Sequence, residues 1–436
     1  MKNMSLGHTT KSCILSFMLV IASIAFVIPG ALAAEFCVSN ATELTNALAL
    51  AVANGEDDTI KVVKGTYNGN FTFISNEGHS ITLLGGYNTG CITRIINPKN
   101  TILDAQHSGR VLYLYNSDGG DIIVEGLTVK NGSGTWGAGI YARSDKPAGD
   151  IGEIRLTNNL ITGNITGEEH YGGGVNIYSK ANSGRSANII LRDNTITGNT
   201  ADWFGGGVYI MTMSYPSGDS GEITFNNNVV AGNTATVYDG GGADINSGAD
   251  KASYTCGDVN FCNNTFTGNA AGRYGGGLSL SPVNGTVRVY NNIIWDNSAS
   301  SDGDDIHLFS YGSPTWNGYN NDYSDMFGCS WTNSGDNIDK NPLFVSPSGG
   351  NHHIKASSPC RNAGIFDKKT YAYIGGTWIW IYYDYSFIPD DDFEGDTRNS
   401  DWVEETTNHY YKYCDIGADE YTSIAMPWIP LLLLNN

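Results

Sequence analysis

The sequence predicts an all-β chain wound as a right-handed single-stranded parallel β-helix of three sheets, with an N-terminal helix cap and a loop-rich C-terminal cap. Three observations predict it. A coil of roughly 35 residues recurs along the middle of the chain. Each coil resolves into three short stretches with strand periodicity. Helix formers are scarce beyond the first hundred or so residues, while Gly (55) and Tyr (25) are abundant.

The repeat is read from its asparagines. Asn131, Asn164, Asn199, Asn233, Asn269 and Asn297 follow one another at steps of 33, 35, 34, 36 and 28 residues. Five residues before each of the last five stands another: Asn159, Asn194, Asn228, Asn264 and Asn292. A glycine cluster comes six to eight residues after each, beginning at Gly137, Gly172, Gly205, Gly240, Gly275 and, in degenerate form, Gly303. A fixed offset inside a varying period means that one unit recurs and its length varies elsewhere. The variable loops, at about residues 145–152, 181–186, 215–221 and 248–257, all follow the strand after the glycines.

That first strand is exemplified by Val175, Ile177, Val208 and Ile210, alternating apolar with other residues. The second buries pairs such as Ile189/Leu191 and Ile223/Phe225, and the third centres on Ile161, Ile196, Val230, Phe266 and Ile294. Such units cannot bury an apolar face alone and must stack on their neighbours. The asparagines are expected to take left-handed turns between strands and to hydrogen-bond along their column. The glycines supply positive φ and close backbone approach. A propeller needs four strands per blade, and only three fit here.

The ends divide the chain into an export signal (1–33), an N-terminal cap with first coils (34–100), repeated coils (101–310), a C-terminal region (311–421) and an apolar tail (422–436). Lys2 and Lys11 precede an apolar run and a small-residue site ending at Ala33, the order of a secretory signal. The chain is thus expected outside the cell or on its surface. No transmembrane helix is expected in the mature chain: the tail is about half a span and holds Pro427 and Pro430. A net charge of −20 speaks against nucleic-acid partners. It leaves room for calcium, for which Asp302, Asp304 and Asp305 are the candidate ligands. Seven cysteines follow the signal. Cys37 and Cys91 bracket the N-terminal cap and Cys360 and Cys414 the C-terminal segment, so disulfides are expected within these pairs. Cys256 and Cys262 flank an extended stretch that would hold them about 20 Å apart.

The segments Asn341-Pro342-Leu343-Phe344, Ser358-Pro359, Asp392-Phe393-Glu394-Gly395-Asp396-Thr397-Arg398 and Asp415-Ile416-Gly417-Ala418-Asp419-Glu420-Tyr421 resemble the C-terminal choice-of-anchor region of secreted β-helix proteins. The glycine-asparagine repeat looks like that of the pectate-lyase-like superfamily. The resemblance implies a fold and a surface location. It does not imply one activity, because that superfamily holds lyases, hydrolases and adhesins.

Two columns of side chains are expected to face outward beside the glycine turns. One holds Tyr141, Asn176, Tyr209, Asp244, Ser279 and His307; the other holds Trp136, Tyr171, Phe204, Asp239 and Tyr274, with Trp203 and Arg273 adjoining. Aromatic rings can stack on sugar faces while carboxylates take hydroxyls or calcium. Solvated acids beside a plain aromatic stack would leave the same pattern. The preferred functional reading is a non-catalytic protein that binds polysaccharide, matrix or another cell surface. The alternative is a polysaccharide lyase or glycoside hydrolase, for which Asp239, Asp244 and Arg273 are the candidate catalytic residues. The Gly-His-Gly and Arg-Ile-Lys elements of β-helical pectin hydrolases do not occur.

Overall fold

The computed structural model describes residues 33–215, 218–249, 256–374, 377–382, 388–392, 398, 403–406 and 409–418. All but the last residue of the expected export signal, and the apolar tail, lie outside these residues. The chain forms a parallel β-helix. One ladder has eleven parallel strands, beginning at Ala34–Val38 and ending at Asn333–Gly335, and two others have nine each. Registers such as Ile154↔Ile189, Ile189↔Ile223 and Ile223↔Val259 stack like on like from coil to coil.

A fourth ladder of six two-residue strands, including Thr200–Ala201 and Thr234–Ala235, adds to the three expected sheets. Two-residue strands are too short to show a sequence period. The strands that follow the glycine turns are also longer than expected. They run Ile140–Lys146, Val175–Ala181, Val208–Ser214 and Ala243–Ala249, and take in the start of three segments read as loops.

The apolar stripes converge on one continuous core. Phe225 and Phe261 stack at 4.8 Å between ring centroids within it. Helix Ala41–Ala51 closes the N-terminal end by burying Leu44, Ala47, Leu48 and Ala51, with Asn40 accepting from the Glu43 amide as N-cap. The Cys37–Cys91 disulfide ties this cap together.

The asparagines form two unbroken ladders. In the first, Asn159, Asn194, Asn228, Asn264, Asn292 and Asn321 each donate through Nδ2 to Oδ1 of the next, at 2.9–3.1 Å, ending on Asn337. Each Nδ2 also reaches a backbone carbonyl of the preceding coil, as Asn228 reaches Leu191. The second ladder repeats this from Asn164 to Asn297. One expectation is corrected here. Asn131 takes the left-handed turn itself, with φ of 54°, but along the first ladder the left-handed residue is the one before each asparagine: Asn158, Asp193, Asn227, Asn263, Asn291 and Asn320, all with φ of 54–57°. A ladder residue needs its side chain aimed inward along the stack, and the turn is taken one residue earlier.

The C-terminal region carries antiparallel pairs of its own, among them Gly364–Ile374 with His409–Cys414. It also lies along the side of the solenoid, against the corner lined by those left-handed residues. Asn227 Nδ2 donates to the Asp391 carbonyl, Asn291 Nδ2 to that of Ile365 and Asn320 Nδ2 to that of Ala363. Ile293 of the solenoid packs with Phe344, Ile354, Cys360 and Ile416 in a satellite core. Arg398 is fully buried and donates to the Asp391, Gly417 and Ala418 carbonyls.

This packing overturns the expected Cys360–Cys414 disulfide. The two residues do not join. The Cys360 thiol donates to Asp322 Oδ2 at 3.0 Å, while Cys414 Sγ lies among the Asn263 and Asn291 amides. Bracketing in sequence brought the two chain segments together but did not set the direction of their Cβ–Sγ bonds.

Candidate functional site: a polar notch in an aromatic wall

The site lies on the outer face of the nine-stranded ladder formed by the strands after the glycine turns. Its first column is in register throughout: Tyr141↔Asn176↔Tyr209↔Asp244↔Ser279↔His307. The structure extends it to Tyr113 before and Phe327 after. The second column is held by glycine amides one coil back. Gly137, Gly172, Gly205 and Gly240 donate to the carbonyls of Tyr171, Phe204, Asp239 and Tyr274. Glycine is required at Gly240, where φ is +70° and a Cβ would lie 2.5 Å from the Ala243 carbonyl oxygen and 2.6 Å from Asp244 Cβ. The turn therefore brings Asp239 and Asp244 onto one coil at the surface.

Aromatic rings flank that coil on both sides. Before it, Tyr171 stacks on Tyr209 at 4.9 Å and Phe204 on Tyr238 at 4.8 Å. After it, Tyr274 packs against His307 at 5.0 Å and Phe327 at 5.1 Å. The acidic coil is thus a polar notch in an aromatic wall, over which opens a groove of about 790 Å³. Tyr209, Asp239, Asp244, Arg273, Tyr274 and His307 all line it.

Phe204 of the second column lines it too, and the remaining candidates lie outside this groove. Trp136 is 42% exposed and edges onto Tyr141, over which the Arg110 guanidinium sits at 5.0 Å. Trp203 packs edge-on between Tyr171 and Tyr238. Asn176 Nδ2 is spent on the Tyr171 carbonyl. Sequence reasoning missed Met211, Met213, Phe309, Tyr311 and Phe327, which also line the groove. The two methionines could have been found by counting two and four residues on from Tyr209, since alternate strand residues share a face.

Within the notch, Arg273 clasps Asp239 with two bonds, Nε to Oδ1 at 2.7 Å and Nη2 to Oδ2 at 2.5 Å, and the Tyr274 amide adds a third. Asp239 is buried whereas the Arg273 side chain is 41% exposed, so the pair shows solvent its cationic side. Asp244 is 3% exposed. Its burial, aided by the neighbouring Asp239 carboxylate, pushes its pKa up to about 8 against the hydrogen bonds from Ser279 and Asn246. At neutral pH it is therefore a protonated acid. Burial lowers the pKa of His307, whose Nδ1 lies 3.3 Å from Ser279 Oγ, and raises that of the Tyr209 phenol. The order Asp244–Ser279–His307 puts serine in the middle, where a nucleophilic triad would need histidine.

The acidic trio near residue 303 does not converge on a cation position. Asp302 Oδ1 accepts from the Gly303 amide and Asp304 Oδ1 from the Ala299 amide, while Asp305 takes Asn297 and Ser324. Among the described residues no three His, Cys, Asp or Glu side chains gather as a metal site. These aspartates instead close turns and the end of the second asparagine ladder.

Compared with protein-family profiles, curated proteins and solved structures, the chain matches none.

Proposed function

We propose that the protein is a secreted or surface-attached β-helix whose groove binds a polysaccharide chain without cleaving it. The observation that carries this is the polar notch set between aromatic walls. Rings supply apolar faces for sugar rings, and the Arg273–Asp239 pair with protonated Asp244 supplies donors and acceptors between them. The groove runs across the coils, which repeat at about 4.8 Å, so it suits an extended chain. The Cys37–Cys91 disulfide fits an oxidising location outside the cell. Membership of the pectate-lyase-like superfamily and a choice-of-anchor role for the C-terminal region belong to the same proposal. Their support is the parallel coil and the motif segments quoted above.

Hydrolysis is the second reading, and one observation favours it: a protonated carboxyl beside an ion-paired one has the form of a general acid and a general base. Asp244 would protonate the glycosidic oxygen while Asp239 took a proton from the attacking water. Against this, Asp239 is 5% exposed and already accepts three hydrogen bonds. A base so satisfied has little left for a water.

The test is a glycan array run beside an assay for released reducing and unsaturated ends, with Arg273→Ala and Asp244→Asn variants. Binding that Arg273→Ala weakens, without product, is the expected result. Product that Asp244→Asn abolishes would replace binding by hydrolysis. An array with no ligand would overturn both.

A further inference from the structure

Three isoleucines stand out from the N-terminal cap on a loop that cannot fold them away. Ile92, Ile95 and Ile96 are all exposed, Ile92 by 82%. The loop is fixed at several points. Cys91 is joined to Cys37, Asn88 Oδ1 accepts the Ile92 and Thr93 amides, and the Ile95 amide donates to the Gly86 carbonyl. Arg94 adds bonds to the Gly85 carbonyl and to Glu125. Neighbouring apolar side chains held outward by a rigid loop mark an interaction surface, because binding there costs little ordering of the loop.

The place of this loop on the solenoid suggests what covers it. The Pro98 carbonyl, at its end, accepts from Thr128 Oγ1 at 2.8 Å. Thr128 starts an outward column of the third strands that runs in register through Leu160, Thr195 and Val229 to Thr265. The three middle strands, Leu160–Thr162, Thr195–Thr197 and Val229–Ala231, hold no charged residue, although the chain carries a net charge of −20. The last described residues reach the far end of the same column. Ile416 packs with Ile293, and the Ala418 amide donates to Thr265 Oγ1 at 3.1 Å. Arg398 Nη2 then joins the Ala418 carbonyl to Asn227 Oδ1, one coil nearer the N-terminus. At Ala418 the chain is therefore running from the later coils toward the first.

We infer that the apolar C-terminal segment 426–434 docks on Ile92, Ile95 and Ile96, with residues 419–425 lying along the uncharged face of the third strands. The lengths agree. Four coil steps separate Thr265 from Thr128, about 19 Å in all, and residues 419–425 reach about 23 Å when extended. Met426, Trp428, Ile429 and the leucines at 431–434 thus arrive at the isoleucines, and no residue from Thr422 onward is charged. Being tethered, the segment needs little intrinsic affinity to stay bound. The docked segment straps the C-terminal region to the N-terminal cap. It lies on a different ladder from the groove and does not depend on what the groove binds.

The experiment replaces Trp428 in the full chain by the photo-crosslinking residue benzoylphenylalanine and maps the adducts by mass spectrometry after irradiation. Adducts to residues 92–98 of the same chain are expected, an equal mixture of isotopically light and heavy chains separating them from adducts between copies. The Ile92→Ser/Ile95→Ser/Ile96→Ser variant keeps the disulfide and the hydrogen bonds of the loop, and should lower those adducts about tenfold. Adducts elsewhere in the chain, adducts between copies, no adducts, or adducts undiminished in the triple variant overturn the docking. A second irradiation adds phosphatidylethanolamine–phosphatidylglycerol vesicles. Unchanged adducts to 92–98 are expected, and their replacement by lipid adducts would make the segment a membrane anchor instead.

Discussion

Asn291 clasps Ile365 with both ends of its side-chain amide: Nδ2 donates to the Ile365 carbonyl at 2.7 Å, and Oδ1 accepts the Ile365 amide at 2.9 Å. A side chain of one solenoid corner thereby pairs with the returning C-terminal segment as a neighbouring strand would. Gly417 N–H completes the clasp on the Asn291 carbonyl at 2.7 Å. The residue's φ of 57° is part of the arrangement, since it turns the amide away from the core.

Asn291→Gly keeps that backbone conformation and removes only the amide. Two buried backbone groups of Ile365 are then left unpaired, at a cost of about 2–4 kcal/mol. Hydrogen exchange at residues 364–366 should accelerate while exchange in the core strand Ile223–Asn226 stays slow. Equal acceleration in both would mean that the C-terminal segment is not held separately.

The asparagine ladder should show position dependence. Asn228 accepts from both the backbone and the side chain of Asn194 and donates to Leu191, Asn226 and Asn264. Asn337, the last of the series, is only partly buried. Asn228→Ala is expected to cost about 3–5 kcal/mol and Asn337→Ala about 1–2 kcal/mol, read from denaturant midpoints. Equal losses would show that the ladder does not act cooperatively.

Thiol counting checks the cysteine assignment. In denaturant without reductant, Cys256, Cys262, Cys329, Cys360 and Cys414 should all alkylate, and Cys37 and Cys91 only after reduction. Reduction should destabilise the fold by about 4 kcal/mol, since the Cys37–Cys91 bridge spans 54 residues. Mass mapping that finds Cys360 and Cys414 blocked together would show that the two thiols are joined after all.

What was legible in the sequence follows from periodicity. Ile189, Leu191 and Ile196 recur with their coil, so the core and the Tyr141–His307 register could be read directly. The lateral seat of the C-terminal segment could not. It depends on Asn227, Asn263, Asn291 and Asn320, which in sequence are only turn residues and become docking groups when a distant segment arrives. A smaller cavity beside the groove, lined by Tyr115, Asp145 and Lys180, was hidden for a related reason: Asp145 and Lys180 stand where the strand seemed to end, and only strand pairing past that point places them on the groove face.

Stability should fall as pH rises from about 4 to above 6. Burial pushes Asp193 and Asp322 up to about 6, above the ordinary 3.8. Between those values the native state holds more protons than the unfolded chain, so deprotonation penalises the native state. The loss amounts to a few kcal/mol at most, complete once pH passes the folded pKa, and Asp244 extends it toward pH 8. Asp322→Asn, which keeps the acceptor for the Lys340 amide, should flatten the profile between about pH 4 and 6 in chemical denaturation. An unchanged slope would remove Asp322 as its source.

The protonated state of Asp244 separates binding from catalysis by pH. If the groove only binds, Asp244→Asn replaces one neutral polar group by another, and affinity at pH 7 should change less than threefold. Wild-type affinity should shift near pH 8 as the acid ionises beside Asp239, whereas the variant should show no such step. Asp239→Asn is different, because it takes the countercharge from Arg273 and leaves one acceptor oxygen where the guanidinium now has two. Affinity should then fall tenfold or more at every pH. A variant at Asp244 that loses turnover while still binding would assign it the acid's role instead.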